Sequence, residues 1–304
     1  MRGACKLCGK TCDLQQSHIL PSFAFKWMKQ AGHIRKSGLP NRRAQDGEKR
    51  AWLCWECEQL FSSFETPFAT EVFHAYDLDR SVKVRHGDWM LKFCVSVAWR
   101  SLSALQEDGK FQRLTEQQAA LGARALETWS RFLLGRYKHT GAFELHLLTF
   151  DEIERASFSM TTPNINRYLT RAIDMDLAAN SSTCFSYSKL GPFAIFGFVQ
   201  SHPGQWKGTQ VPCGAGWFQP HDVTLPKQVW DYLNDRALHV KRALDSMSPA
   251  QQEKVAETIR ANPERFLTSG LFRAMQRDVE MFGRDAFSSH SDHTPAQEDD
   301  GQTI

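Results

Sequence analysis

The chain has 304 residues, of which 41% are hydrophobic and 23% charged, with a formal net charge of +3. This balance excludes a disordered polyelectrolyte and fits a soluble globular protein long enough to bury two cores. No run of about 18 apolar residues occurs, so no membrane-spanning helix is expected, and no secretory leader is read at the N-terminus; the expected compartment is cytoplasmic, with reduced cysteines.

Cys5 and Cys8 form one CxxC pair, and Cys54 and Cys57 a second. Each pair offers two thiolates from a single turn, and four thiolates are the donor set of a structural tetrahedral Zn2+ site. Cys12 is an alternative ligand at a less usual spacing. Between the pairs, Asp46-Gly47 is a type I′ turn signal. The spacing predicts a hairpin with strands over Asn41–Gln45 and Glu48–Leu53, and a helix after Cys57. Knuckle, hairpin, knuckle and helix in this order predict a treble clef (ββα-like). Residues 1–60 carry 11 Lys or Arg against 5 Asp or Glu. Arg35, Lys36, Arg42, Arg43, Lys49 and Arg50 cluster around the predicted hairpin and are expected to contact nucleic-acid phosphates, although a solvated basic face has the same composition.

With Cys5–Cys8, Ser17-His18-Ile19-Leu20-Pro21, Asn41 and Leu53-Cys54-Trp55-Glu56-Cys57-Glu58 in place, residues 1–75 resemble the zinc-bearing form of the HNH (ββα-metal) nuclease family. The resemblance covers about a fifth of the chain. It implies that His18 is the general base that deprotonates water for attack on a phosphodiester, with Asn41 beside it. It also implies a catalytic Mg2+ or other divalent cation. The family places metal ligands just before the base and just after the last cysteine. Here those positions hold Ser17, a poor ligand, and Glu58, a good one for Mg2+. Glu65 lies seven residues on, on the same helical face. The expected function is a metal-dependent endonuclease acting on DNA or RNA, in the manner of a defence effector. The departures at Ser17 and Glu58 motivate the alternatives, a non-catalytic nucleic-acid-binding module or a protein-interaction module.

Pro21–Lys29 reads as a short helix, and Pro67 is a potential break in the helix that follows Cys57. Residues 74–87 read as a basic connector. The expected fold class is α+β, with an α+β domain of unknown role over 88–284. Its helix pair spans 88–138, where Leu91, Val95, Ala98, Leu102 and Leu105 recur at helical spacing and Thr115 with Gln118 forms a capping box. A small, mainly antiparallel sheet is expected over 140–220, from strands at Ala142–Phe150, Cys184–Lys189 and Pro192–Gln200, with a turn at Leu190-Gly191. Asn164–Ala179 reads equally as helix or strand, and Trp206–Val211 as a further strand. His146, His202 and His221 are isolated and expected to pack or lie on the surface. Helices are expected at Pro226–Asp245, after Ser248-Pro249, and over Glu264–Phe282. Residues 287–304, acidic and without periodicity, are expected to be disordered. They include His290 and His293, which are not read as ligands. In the interaction-module alternative, zinc only supports the fold and the sheet over 140–220 binds a protein partner or ligand.

Overall fold

The computed structural model describes all residues except 31, 33, 37–38, 155–160, 201–205, 221–222 and 288–304; His202, His221, His290, His293 and nearly all of the tail expected to be disordered therefore lie outside the described residues. The structure is a mixed helix and sheet fold with small antiparallel sheets and a cysteine cluster near the N-terminus.

The first 78 residues build a ladder of short elements. Strands β1 (Arg2–Ala4) and β2 (Thr11–Asp13) pair antiparallel around the first CxxC. Strand β3 (Gln15–His18) follows, then helix α1 (Ser22–Lys29). Next come β4 (Ile34–Lys36), β5 (Leu39–Ala44), β6 (Lys49–Leu53) and helix α2 (Trp55–Pro67). The hairpin expected around Asp46-Gly47 does not form. β5 pairs with β4, with Arg35 opposite Arg43. β6 pairs instead with β3, with His18 opposite Lys49. Gly47 is not at positive φ, as a type I′ turn requires. It is a glycine because the Phe25 ring packs over it: a Cβ there would lie 2.4 Å from the ring. Asp46 spends its carboxylate on the Gly47 N–H (2.8 Å) and on His18. The result is two paired strands, β3 and β6, feeding directly into α2.

Pro67 does not break the helix. It supplies no N–H, and the chain passes it by loosening into a π-helical turn, Phe68–Phe73, then continues as α3 (His74–Leu78). The turn sends Phe68, Val72 and Phe73 fully inward. Part of the segment read as a connector is therefore helical, and β7 (Val84–His86) follows.

Helix α4 (Trp89–Glu107) is buried along most of its length, and α5 (Glu116–Leu133) packs on it. The capping box forms as read: Thr115 accepts from the Gln118 N–H, and the Gln118 side chain accepts from the Thr115 N–H. The four-stranded antiparallel sheet has the order β8 (Leu145–Thr149), β11 (Phe193–Gln200), β10 (Cys184–Leu190), β9 (Ile173–Ala179). The ambiguous Asn164–Ala179 stretch divides into α6 (Ile165–Arg171) and β9. Trp206–Val211 adds no full strand and contributes single bridging pairs, Lys207 with Thr224 and Gln210 with His146. A short β12 (Gly216–Phe218) pairs with β7. The β10–β11 hairpin turns on Gly191 at φ +57°, the glycine position of a type II′ turn, with Pro192 supplying the negative φ that follows.

The sheet is covered on both faces. Phe193 and Ile195 join a core that runs through α4 and α5 to Phe61, Leu53 and Cys5. Ala194, Phe196 and Phe198 join a second core with Tyr168, Tyr187 and Leu233. The period of two in a strand explains the split, and burial on both faces explains the unbroken apolar run at 193–199. His146 is buried, with Nδ1 2.7 Å from the Thr209 hydroxyl; it packs, as its isolation suggests.

The C-terminal helices are α7 (Lys227–Asp245), α8 (Pro249–Ala261), α9 (Pro263–Leu267) and α10 (Gly270–Phe282). The single helix read over Glu264–Phe282 is broken, because Ser269 caps a new start by accepting from the Phe272 N–H at 3.2 Å. Asp278 on α10 is fully buried, and it accepts from the Asn166 and Arg167 N–H groups at 2.8 and 3.2 Å. Burial raises its carboxyl to about 6, despite these bonds and Arg167. A raised carboxyl favours the native state below its unfolded value of 3.8 and loses that contribution as pH rises through about 6. The stability difference between the native protein and Asp278→Asn is therefore expected to be about 2 kcal/mol larger at pH 4 than at pH 7. Urea unfolding at the two pH values measures it, and a difference independent of pH would show that Asp278 does not titrate there.

Candidate functional site

The knuckle at Cys5–Cys8 is closed by the Gly9 N–H on the Cys5 carbonyl (2.8 Å), with Gly9 at φ +78°. The Lys6 N–H donates to the Trp52 carbonyl at 2.8 Å, tying the knuckle to β6. Cys54 caps α2, and Cys57 lies in its first turn. The four sulfurs all lie within 4.8 Å of one another, and the Sγ atoms of Cys8 and Cys54 are 3.8 Å apart. A tetrahedron with Zn–S bonds of about 2.3 Å has edges of about 3.8 Å, so the four cysteines fit a structural metal such as zinc. Burial opposes charge on Cys5, yet hydrogen bonds from the backbone of Cys8, Cys54 and Leu7 bring its thiol down to about 7. Burial pushes Cys54 up to about 12 and Cys57 higher still; a bound cation reverses that penalty, since ligation deprotonates a thiol. Cys12 lies beside these four without belonging to the group.

Four residues expected to act in catalysis sit as follows. Ser17 is buried, and its hydroxyl donates a short hydrogen bond to Glu58 Oε1, so the positions before the histidine and after the last cysteine meet. His18 ends β3, and its Nε2 lies 2.9 Å from Asp46 Oδ2. Lys49, opposite His18 in the strand register, places its ammonium 3.0 Å from the same oxygen. Burial works against ionisation of Asp46, but hydrogen bonds from His18, Lys49 and the Gly47 N–H hold its carboxyl well below the usual range. Glu65 is claimed by Arg100 of α4, whose Nη2 lies 2.5 Å from Oε1. Arg100 is itself buried, donates from Nη1 to the His18 carbonyl at 3.0 Å, and lies over the Phe61 ring. Asn41 makes its contact elsewhere, accepting from the Ser248 N–H at the start of α8 (2.7 Å). Among the described residues, the cysteines are the only group of three or more His, Cys, Asp or Glu with ligand atoms this close. His18, Glu58 and Glu65 form no second such group.

The basic residues divide. Arg42 and Arg43 are exposed on β5. Arg35 is half-buried and donates to the Pro40 carbonyl and Gln251, both at 3.2 Å. Lys36 lies on β4. Arg50 is held by Glu48, Glu107 and Asp108 at 2.7–2.9 Å, so it reaches a phosphate only by giving up these partners.

Asp46 and Arg100 escaped the sequence reading as site residues. Asp46 precedes a glycine and reads as turn. Arg100 left one signal, a cation within the apolar run Ala98-Trp99-Arg100-Ser101-Leu102 of a buried helix, where charge persists only with a partner. Among the described residues no helix is long and apolar enough to cross a membrane. Comparison of the chain with protein-family models, curated proteins and solved structures finds no match.

Proposed function

We propose that the N-terminal part is an HNH-like treble clef that hydrolyses phosphodiester bonds in DNA or RNA, with zinc as its structural metal. The observation that carries this reading is the His18–Asp46 pair, placed where paired strands β3 and β6 lead into α2. An anionic Asp46 accepts from the Nε2–H, which fixes the tautomer and leaves the Nδ1 lone pair as the base. His18 takes a proton from water, the oxygen bonds to phosphorus, and the ester oxygen leaves and is protonated. A divalent cation bound through Glu58 would supply charge neutralisation at the phosphate. Glu65 does not fit that role while it neutralises Arg100. Arg42 and Arg43 are the basic residues best exposed to meet a backbone.

The test is cleavage of plasmid DNA and single-stranded RNA with magnesium, manganese or nickel by zinc-loaded protein. Native protein is expected to cut, and folded His18→Ala to lose about 10²–10⁴-fold in rate. Absence of cutting with every metal, together with salt-dependent binding, establishes instead the non-catalytic nucleic-acid-binding reading, which the engagement of Glu58 by Ser17 and of Glu65 by Arg100 favours.

A further inference from the structure

Two guanidinium groups converge where α10 begins, and neither belongs to the residues of the proposed hydrolytic site. Arg171 Nη1 and Arg273 Nη2 lie 3.4 and 3.6 Å from the point a Cβ on Gly270 would occupy. Among the described residues neither guanidinium has an ion pair within 4.0 Å or donates a hydrogen bond to a side chain or carbonyl, and Arg171 Nε is buried without a partner. Arg171 is held in place by the Trp27 ring, with its guanidinium carbon 3.8 Å from the ring centroid.

The neighbouring acids do not meet this demand. Asp77 accepts from Trp27 Nε1 at 2.6 Å and lies 4.0 Å from Arg80. Asp151 lies 3.5 Å from Arg80; burial opposes its charge, while hydrogen bonds at Glu152 and the charges of Arg80 and Arg273 hold its carboxyl down, and it makes no ion pair with Arg273 within 4.0 Å. Glu152 has a carboxyl pushed up by burial and by Asp151, and one of its oxygens is buried without a partner. Burial, with Arg273 and Arg80 nearby, lowers Arg171 to about 10 against the pull of Asp77 and Glu152. Two like charges side by side, one desolvated and with an unused donor, are costly unless an anion joins them. Guanidinium forks match tetrahedral oxyanions in particular, and Gly270 places no side chain against either group.

We propose that Arg171, Arg273 and Gly270 form a binding site for a phosphate group, either a free phosphate or diphosphate ligand or the phosphate of a nucleic-acid backbone. This site is independent of the hydrolytic reading. The test uses full-length, zinc-loaded protein at constant ionic strength, titrated with inorganic phosphate, with pyrophosphate and with a short single-stranded oligonucleotide. Melting temperature and tryptophan fluorescence are followed, since Arg171 lies on Trp27. Phosphate or pyrophosphate is expected to raise the melting temperature above that in matched chloride. The affinity is expected to fall at least 10-fold in Arg273→Gln, an exposed position that leaves the core untouched, and several-fold in Gly270→Ala, which keeps both charges and places a methyl group against them. Competition between oligonucleotide and phosphate assigns the site to a nucleic-acid backbone; phosphate binding without competition assigns it to a free ligand. Absence of any response beyond chloride, or an unchanged response in both variants, overturns the proposal.

Discussion

Cys57→Ser is expected to lose bound zinc and to unfold the first 60 residues, with a melting temperature well below that of the native protein. The knuckle has little else to hold it. β1 and β2 are three residues each, and of the loop between them only Cys5 and Leu7 are buried. Apparent zinc-binding energies at Cys-rich sites are about 10–16 kcal/mol, more than the whole stability of many domains. The loss should extend beyond the knuckle, because Cys5, Cys54 and Cys57 belong to the same core as Phe93 and Trp99 of α4. Zinc content by elemental analysis, melting temperature, and hydrogen exchange along residues 1–60 measure the three parts of this expectation. Cys12→Ser is the control: it should keep its zinc, because Cys12 stands outside the four-sulfur group. Zinc lost in Cys12→Ser and kept in Cys8→Ser would overturn the ligand assignment.

What could be read ahead of the structure was local. The two CxxC pairs announce themselves because two thiolates from one turn need no distant information. Thr115 with Gln118 is equally local, and so is the β10–β11 turn at Gly191. The pairing partner of β6 was not local. Asp46-Gly47 has the composition of a tight hairpin turn, but Gly47 serves the close approach of Phe25, and Asp46 serves His18 and Lys49. Lys49 is close in sequence, but Phe25 and His18 come from chain more than 20 residues away, so the dipeptide rule pointed to the wrong pair of strands. The division of the last long helix at Ser269 was hidden for a different reason: its apolar spacing continues on both sides of the break, and only the Ser269-Gly270 pair marks the new start. At the site, Glu65 shared a helical face with Glu58 as expected, yet its partner comes from α4, 35 residues on. Helical spacing places a carboxylate on a face and says nothing about what that face meets.

Arg100→Met is expected to destabilise the protein by about 3 kcal/mol or more, and to do so mainly through Glu65. Arg100 is 4% exposed and Glu65 20%, so removal of the guanidinium leaves a carboxylate with restricted access to water and no counter-charge. It also removes the donor to the His18 carbonyl at 3.0 Å, which loosens the strand end that carries the imidazole. The double variant Arg100→Met/Glu65→Gln separates the two effects. Glutamine needs no counter-charge, so the double variant should recover part of the lost stability in urea unfolding, as desolvated pairs do when both partners are neutralised together. It should not restore the His18 anchor, because no donor returns to that carbonyl. An amide-exchange rate at Ile19 that stays raised in the double variant while global stability recovers is the expected signature. Equal recovery of both would mean that Arg100 acts only as the counter-charge of Glu65, and that β3 holds His18 without it.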